Sequence, residues 1–306
     1  MEQVMRNALL YMAKNRQAND LARRYGLRFG AQRFVAGQTL TDAIKIVQTL
    51  NTQNLLVTLD HLGESVFTED EAILSAESCV QALTAIAEQG VKSHLSIKLT
   101  QLGMDLSREL CVKNVTRILD EAKKHGNFVR IDMENYAHNE MTIALFHELH
   151  AVYGNTIGLV IQSYLYKSKA DIEQLGSQNV NLRIVKGAYK EDATVAFPDK
   201  VDVDKNYLTL VQRHLSSGHY TAIATHDEAI IAKMKQFVTE KEINRNNFEF
   251  QMLYGIRTQL QQHLVDEGYK VRVYVPYGDD WYAYFMRRLA ERPANVAFVV
   301  KSMVHA

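Results

Sequence analysis

The chain is poor in the features that mark several functional classes. Its 306 residues include two cysteines, Cys79 and Cys111, too few for a disulfide framework and without metal-ligand spacing. Both sit in helix-like segments and are expected to be buried and reduced, as in a cytoplasm. Only three prolines occur, Pro198, Pro276 and Pro293, and no Gly/Ser-rich linker divides the chain. Neither charge is in excess: Lys plus Arg and Asp plus Glu number 35 each. That balance argues against a nucleic-acid-binding surface or a strongly basic membrane patch. No apolar run approaches the roughly 20 residues of a membrane span. The opening MEQVMRNALLYMAKNRQ has no apolar core of signal-peptide length. A Walker loop and a Gly-x-Gly-x-x-Gly motif are also missing, so any nucleotide must be held by strand ends rather than by a Rossmann crossover.

What is present is a rhythm. From residue 54 a strand-like run precedes a helix-like run, eight times over. The predicted strands are Asn54–Asp60, His94–Thr100, Phe128–Glu134, Gly158–Tyr164, Leu182–Ala188, Tyr220–His226, Phe248–Leu253 and Val271–Pro276. The predicted helices lie near 66–89, 107–124, 139–152, 168–176, 200–216, 227–242, 257–266 and 280–291. Alternating β and α predicts a parallel sheet, and eight units over about 240 residues predict a closed (βα)8 barrel. Residues 1–53 are expected to form an N-terminal helical segment ahead of a barrel domain over 54–306. Leu9, Leu10, Met12 and Ala13 share a face of its first helix; Leu40, Ala43, Ile44 and Val47 share a face of its last. The intervening Gly26-x-x-x-Gly30 lacks the strand context of a phosphate loop and reads as a connector.

Alternation within the strands suggests which face does what. Leu55, Val57 and Leu59, or Val271, Val273 and Val275, keep one parity apolar, suited to the helical layer. The other parity carries Asp60, Lys98, Arg130, Asp132, Glu134, Gln162, Arg183, Thr225, Glu249, Gln251, Arg272 and Tyr274. Ordinary barrel interiors are filled with branched apolar side chains. Burying this many ionisable groups costs several kcal/mol each unless they are paired. Several lie near strand C-termini, where barrel active sites form, so a polar mouth is expected.

Individual segments leave alternatives open. In the last unit, KVRVYVPYGDDWYAYFMRRLAERPA, the strand breaks at Tyr277-Gly278. A helix then places Tyr284, Arg287 and Arg288 on one face. Paired guanidiniums suit a carboxylate, although a solvated face with Glu291 pairing to the arginines also fits. Lys98 could form a Schiff base, bind an anion, or pair with Asp132 on the next strand. Arg183, Val185, Gly187 and Tyr189 share a parity and make a ledge on which a planar ring could lie. Ala224-Thr225-His226 could grip a phosphate or ribose, or Thr225 and Asp227 could simply cap the next helix.

Taken together and in order, these segments resemble the FAD-dependent proline dehydrogenases in their monofunctional bacterial form. The resemblance rests on Leu59-Asp-His-Leu-Gly-Glu64, Ser96-Ile-Lys-Leu99, Arg130-Ile-Asp-Met-Glu134, Gln162-Ser-Tyr164, Arg183-Ile-Val-Lys-Gly-Ala-Tyr189, Ala224-Thr-His226, Phe250-Gln-Met-Leu253 and Tyr284-Phe-Met-Arg-Arg288 through Glu291. It implies a distorted barrel with FAD across its mouth. Arg183 would lie near flavin N5, with Val185 and Gly187 along the ring and Gln162 at its polar edge. Ala224, Thr225 and His226 would serve the rest of the cofactor. Arg287, Arg288 and Lys98 would bind the proline carboxylate, with Asp132 positioning the lysine and Glu291 pairing with an arginine. Tyr189, Leu253, Tyr274 and Tyr284 would wall in the pyrrolidine ring. Asp227 and Lys190 depart from residues frequent in the family. The implied reaction moves hydride from proline C5 to the flavin, yielding Δ1-pyrroline-5-carboxylate, with a membrane quinone as acceptor. The resemblance also implies a separate pyrroline-5-carboxylate dehydrogenase and at most transient, peripheral membrane contact. Hydroxyproline oxidation, a lysine-based aldolase and a non-enzymatic binding barrel are the alternatives.

Overall fold

In the computed structural model, the structure describes residues 31–63, 66–175 and 179–291, together with Leu9 and Tyr11. Eight parallel strands close into a barrel in sequence order. They are β1 (Leu56–His61), β2 (Ser93–Ile97), β3 (Val129–Ile131), β4 (Ile157–Gln162), β5 (Leu182–Val185), β6 (Thr221–Ala224), β7 (Phe248–Leu253) and β8 (Val271–Tyr277). β1 pairs with both β2 and β8, which completes the ring.

Helix α1 (Leu40–Thr52) precedes the barrel. It is followed by α2 (Glu69–Glu88), α3 (Arg108–Lys124), α4 (Tyr136–Tyr153), α5 (Ser168–Leu175), α6 (Lys200–Ser216), α7 (Glu228–Glu240), α8 (Thr258–Asp266) and α9 (Trp281–Glu291). Local chemistry sets their starts. Thr68 and Glu71 form a reciprocal capping box for α2, and Ser107, Asn135 and Asp227 cap α3, α4 and α7.

The apolar parity behaves as the alternation predicts. Val57, Leu59, Val129, Ile131, Leu159, Phe250, Val271, Val273 and Val275 are buried in one cluster with the helical layer. Ala43, Ile44, Val47 and Leu50 of α1 belong to that cluster. The helix drawn from the N-terminal segment therefore packs against the strands beside β1 and β8. Helix α9 sits elsewhere: Trp281, Tyr284, Phe285, Met286 and Leu289 pack with Phe34, Val35 and Leu62. The segment before α1 is tied to the same end of the barrel, because Ala36 N–H donates to Pro276 O (2.9 Å) and Gly278 N–H donates to Gly37 O (3.0 Å). Helix α9 thus leans over the mouth, where the strands end, instead of lying along their sides.

Most of the predicted strands run too far at their C-terminal ends. Lys98, Asp132, Lys186, Thr225 and His226 all lie just past the last paired residue of their strands. Beyond those points the backbone turns to cap helices, as at Asn135 and Asp227, or enters a 3-10 turn at Thr100–Leu102. The straight line from Arg183 to Tyr189 fails for this reason. β5 stops at Val185, and Gly187 has φ +114°, which breaks the alternation. The first N-terminal helix and the Gly26–Gly30 connector lie outside the described residues except for Leu9, which is buried with α9, and exposed Tyr11.

The inward parity is polar, and its buried arginines are satisfied. Arg130, 2% exposed, donates to the carbonyls of Leu159 (3.1 Å) and Asn181 (2.9 Å) and to Asn181 Oδ1 (2.6 Å). Arg272 donates to Glu249 Oε1 and to Val57 O, both at 2.7 Å. These bonds answer the desolvation cost that the sequence pattern raises.

Candidate active site

At the mouth, β1 and β2 deliver an ion pair. Lys98 Nζ lies 2.7 Å from Asp60 Oδ1, with the two side chains 18% and 3% exposed. The register sets Asp60 opposite Ser96, two residues before Lys98 and on the same side of the sheet. Burial works against the charge on Lys98, but the carboxylates of Asp60 and Asp132 outweigh it and hold the ammonium above the usual lysine range. This corrects the expected Lys98–Asp132 pairing. The lysine bonds to Asp60, and Asp132 acts on it through its field alone.

Asp132 is engaged across the barrel instead. Its Oδ1 accepts from Arg183 Nη1 (2.7 Å) and Ser96 Oγ (3.2 Å), and its Oδ2 accepts from Tyr274 O–H (2.7 Å). The Arg183 guanidinium also sits 5.2 Å from the Tyr274 ring centroid. Burial, then the Asp132 charge, pushes the Tyr274 phenol well above its usual range, so it remains a donor. Arg183, Asp132 and Tyr274 form one fixed unit in the floor of the mouth.

Tyr189 stands above this unit at 43% exposure. Burial and the Glu134 carboxylate push its hydroxyl up to about 12, against the opposing pull of Lys98 and Arg287. The phenol therefore feels the charges of Lys98, just past β2, and of Arg287 on α9. Arg287 and Arg288 are both half-buried. The Arg288 guanidinium lies 5.0 Å from the ring centroid of buried Tyr284. The side chain of Glu291, expected to pair with an arginine, lies outside the described residues.

The remaining predicted residues line the β4–β7 side. Gln162 ends β4, is 3% exposed, and donates through Nε2 to Glu134 O (3.0 Å). Its Oε1 is buried with no hydrogen-bond partner among the described residues. Val185, at the end of β5, is partly buried against the main core. At Gly187 an added Cβ would lie 2.3 Å from the Tyr164 ring. His226 Nε2 accepts from Leu253 N–H (2.9 Å), pinning the end of β7 to the segment after β6. Thr225, just beyond Ala224, accepts from Asp227 N–H (3.1 Å), and Asp227 accepts from Ala229 N–H (3.1 Å). Both are engaged in starting α7, as the capping alternative has it.

Sequence reasoning missed the partners of three residues. Asp60 and Gln251 were visible only as inward-parity residues, without partners. Lys186 is clasped by Asp204 and by Asp227 Oδ2, the latter at 3.2 Å. A Schiff-base lysine needs a neutral amine. Lys98 is held charged and does not suit the aldolase alternative, and the Lys186 amine is taken up in ion pairs with Asp204 and Asp227. Among the described residues no group of three His, Cys, Asp or Glu could hold a metal ion. No described helix is long and apolar enough to cross a membrane.

Comparison with known proteins bears on what this mouth is. The family model described as Proline dehydrogenase matches residues 43–301. Proline dehydrogenase 1 of Bacillus subtilis is 49% identical over 98% of this chain and 99% of its own length. Proline dehydrogenase of Deinococcus radiodurans is 45% identical over 99% of both. A solved chain of proline utilization A from Bdellovibrio bacteriovorus, inactivated by N-propargylglycine, superposes with a TM-score of 0.80 at 26% identity. That match covers 85% of this chain and 32% of the longer one. With relatives near half identity along its whole length and the family pattern running through every barrel unit, this chain belongs to the proline dehydrogenase family.

Proposed function

We propose that the chain oxidises L-proline to Δ1-pyrroline-5-carboxylate with bound FAD, and that a quinone takes the electrons onward. The observation that carries this reading is the Arg183–Asp132–Tyr274 unit in the floor of the mouth, with the Lys98–Asp60 pair delivered by the neighbouring strands. Cations grouped at one end of a small, aromatic-walled space suit an amino-acid carboxylate.

The residues fit a flavin. A buried acceptor at Gln162 Oε1, with its amide direction set by Glu134 O, suits the N–H of a flavin's polar edge. Arg183 would present its guanidinium near N5, Val185 and Gly187 would lie along the ring, and Ala224, Thr225 and His226 would face the rest of the cofactor. When bound, FAD supplies the hydride acceptor.

The chain's own contribution is orientation. Arg287, Arg288 and Lys98 fix the carboxylate and thereby aim the C5–H bond; binding energy is used for alignment. Asp60 keeps Lys98 cationic and in place. Tyr189, Leu253, Tyr274 and Tyr284 enclose the ring and exclude water. Tyr274, held by Asp132, fills the space that a ring hydroxyl needs, which favours proline over 4-hydroxyproline. The substrate amine must be neutral at transfer. Arg183 and the carboxylate-binding arginines cannot take its proton, so solvent does, and the rate rises with pH. The enzyme would work in the cytoplasm with transient contact at the inner membrane face, handing its product to a separate dehydrogenase.

A visible spectrum of the purified protein, repeated anaerobically with L-proline, tests this. A flavin spectrum that bleaches supports the reading. A flavin that bleaches only with hydroxyproline or another cyclic amine replaces the substrate. A colourless protein that fails to take up added FAD overturns the flavin.

A further inference from the structure

Below the mouth, the barrel interior contains a hydrogen-bonded chain that nothing in substrate binding requires. Arg183, 4% exposed, donates from Nε to Gln251 Oε1 at 2.6 Å. Gln251 Nε2 donates in turn to Glu249 Oε1, two residues back on β7. Glu249, 1% exposed, accepts from Arg272 Nε (2.7 Å) and from Tyr220 O–H at Oε2 (2.9 Å). The chain therefore runs from the Asp132–Tyr274 pair at the mouth, through Arg183 and Gln251, to a buried carboxylate nearer the β7 N-terminus.

The direction of each bond follows from what the groups can do. Arg183 Nε–H can only donate, so it needs the oxygen of the Gln251 amide. An ionised carboxylate can only accept, so Glu249 needs the amide nitrogen. Turning the amide over would set N–H against N–H at one end and oxygen against carboxylate at the other. With Gln251 and Glu249 both buried, both mismatches are costly. The ionised state of Glu249 is secure. Burial opposes it, but Arg272 overcomes that cost and holds the carboxyl down at about 2. Glu249 thus selects one amide direction, and that direction fixes the far edge of the Arg183 guanidinium.

We propose that Glu249 is a positioning residue: acting through Gln251, and without reaching the mouth, it sets the angle at which Arg183 presents its guanidinium to Asp132 and to a flavin. This rests on the reading of Arg183 as the flavin's neighbour.

The test is a double-mutant cycle read on the flavin itself. Glu249→Gln removes the selecting charge at constant shape. Gln251→Met removes the amide but leaves the Glu249–Arg272 pair, and serves if the first variant folds poorly. Each is expected to shift the flavin midpoint potential in the same sense as Arg183→Ala. Each should also lower kcat by about ten- to a hundredfold, the scale of a misaligned reacting pair, while proline KM stays within about twofold. In the Arg183→Ala background both should add nothing. A full, additive effect in that background, or no effect in the wild-type background, overturns the relay while leaving Arg183 beside the flavin. An Arg183→Ala enzyme with unchanged potential and spectrum overturns the flavin placement, and the relay with it.

Discussion

Replacing Lys98 by Met separates its observed pairing with Asp60 from its proposed role in substrate binding. The ammonium is bonded to Asp60 at 2.7 Å, and the Asp60 side chain is only 3% exposed. Removing one partner of a buried pair leaves an uncompensated charge, at a cost of roughly 3–5 kcal/mol. On the proposed reading, the same change would also remove a charge-assisted contact to the substrate carboxylate, worth about 1.5–3 kcal/mol, or roughly 10- to 150-fold in KM. Lys98→Met should therefore be less stable and also bind proline weakly. Adding Asp60→Asn removes the stranded charge, so the double variant should recover most of the stability but none of the affinity. Denaturant midpoints measure the first quantity, and steady-state KM on flavin-loaded enzyme measures the second. An unchanged KM in Lys98→Met would refute the carboxylate role. Equal stability of the single and double variants would refute the buried-pair argument.

Arg287→Ala and Arg288→Ala should each raise proline KM by about ten- to a hundredfold with flavin content unchanged; normal KM in both would remove α9 from the binding site. Glu249 gives a pH signature. Its folded value, about 2, lies below the unfolded value of about 4.3, so its stabilisation is complete above the unfolded value and lost as pH falls through the folded one. The stability gap between wild type and Glu249→Gln should accordingly narrow from pH 5 to about pH 2, and a constant gap would count against the pairing. Gly187→Ala should impair folding or flavin uptake, because the new methyl meets the Tyr164 ring at 2.3 Å and φ is +114°. Adding Tyr164→Ala should relieve the clash but not the backbone strain, so recovery should be partial.

Where pattern is local, the sequence was legible. Phe248–Leu253 is delimited by its own alternation and matches β7 residue for residue. The helix placed near 200–216 coincides with α6, and the one near 107–124 starts one residue before α3. The site was legible as a set of inward-facing types: Lys98, Asp132, Arg183 and Tyr274 do meet at one end of the barrel. Their pairing was not legible. Adjacent strands made Lys98–Asp132 look natural, yet Asp132 is taken by an arginine from β5 and a tyrosine from β8. Strand ends were hidden for a related reason. Hydrophobic alternation continues past the last paired residue and does not register where backbone pairing gives way to a cap.

The sequence by itself determined the eight repeated units, the polar interior and the family, because each depends on neighbours along the chain. Only the tertiary structure decided that α1 lies along β1 and β8 while α9 crosses the mouth, that Asp60 holds Lys98, and that Glu249 stands behind Arg183. Those choices depend on closure of the ring and the stagger between strands. Both bring together side chains far apart in the chain, at distances that no local pattern encodes.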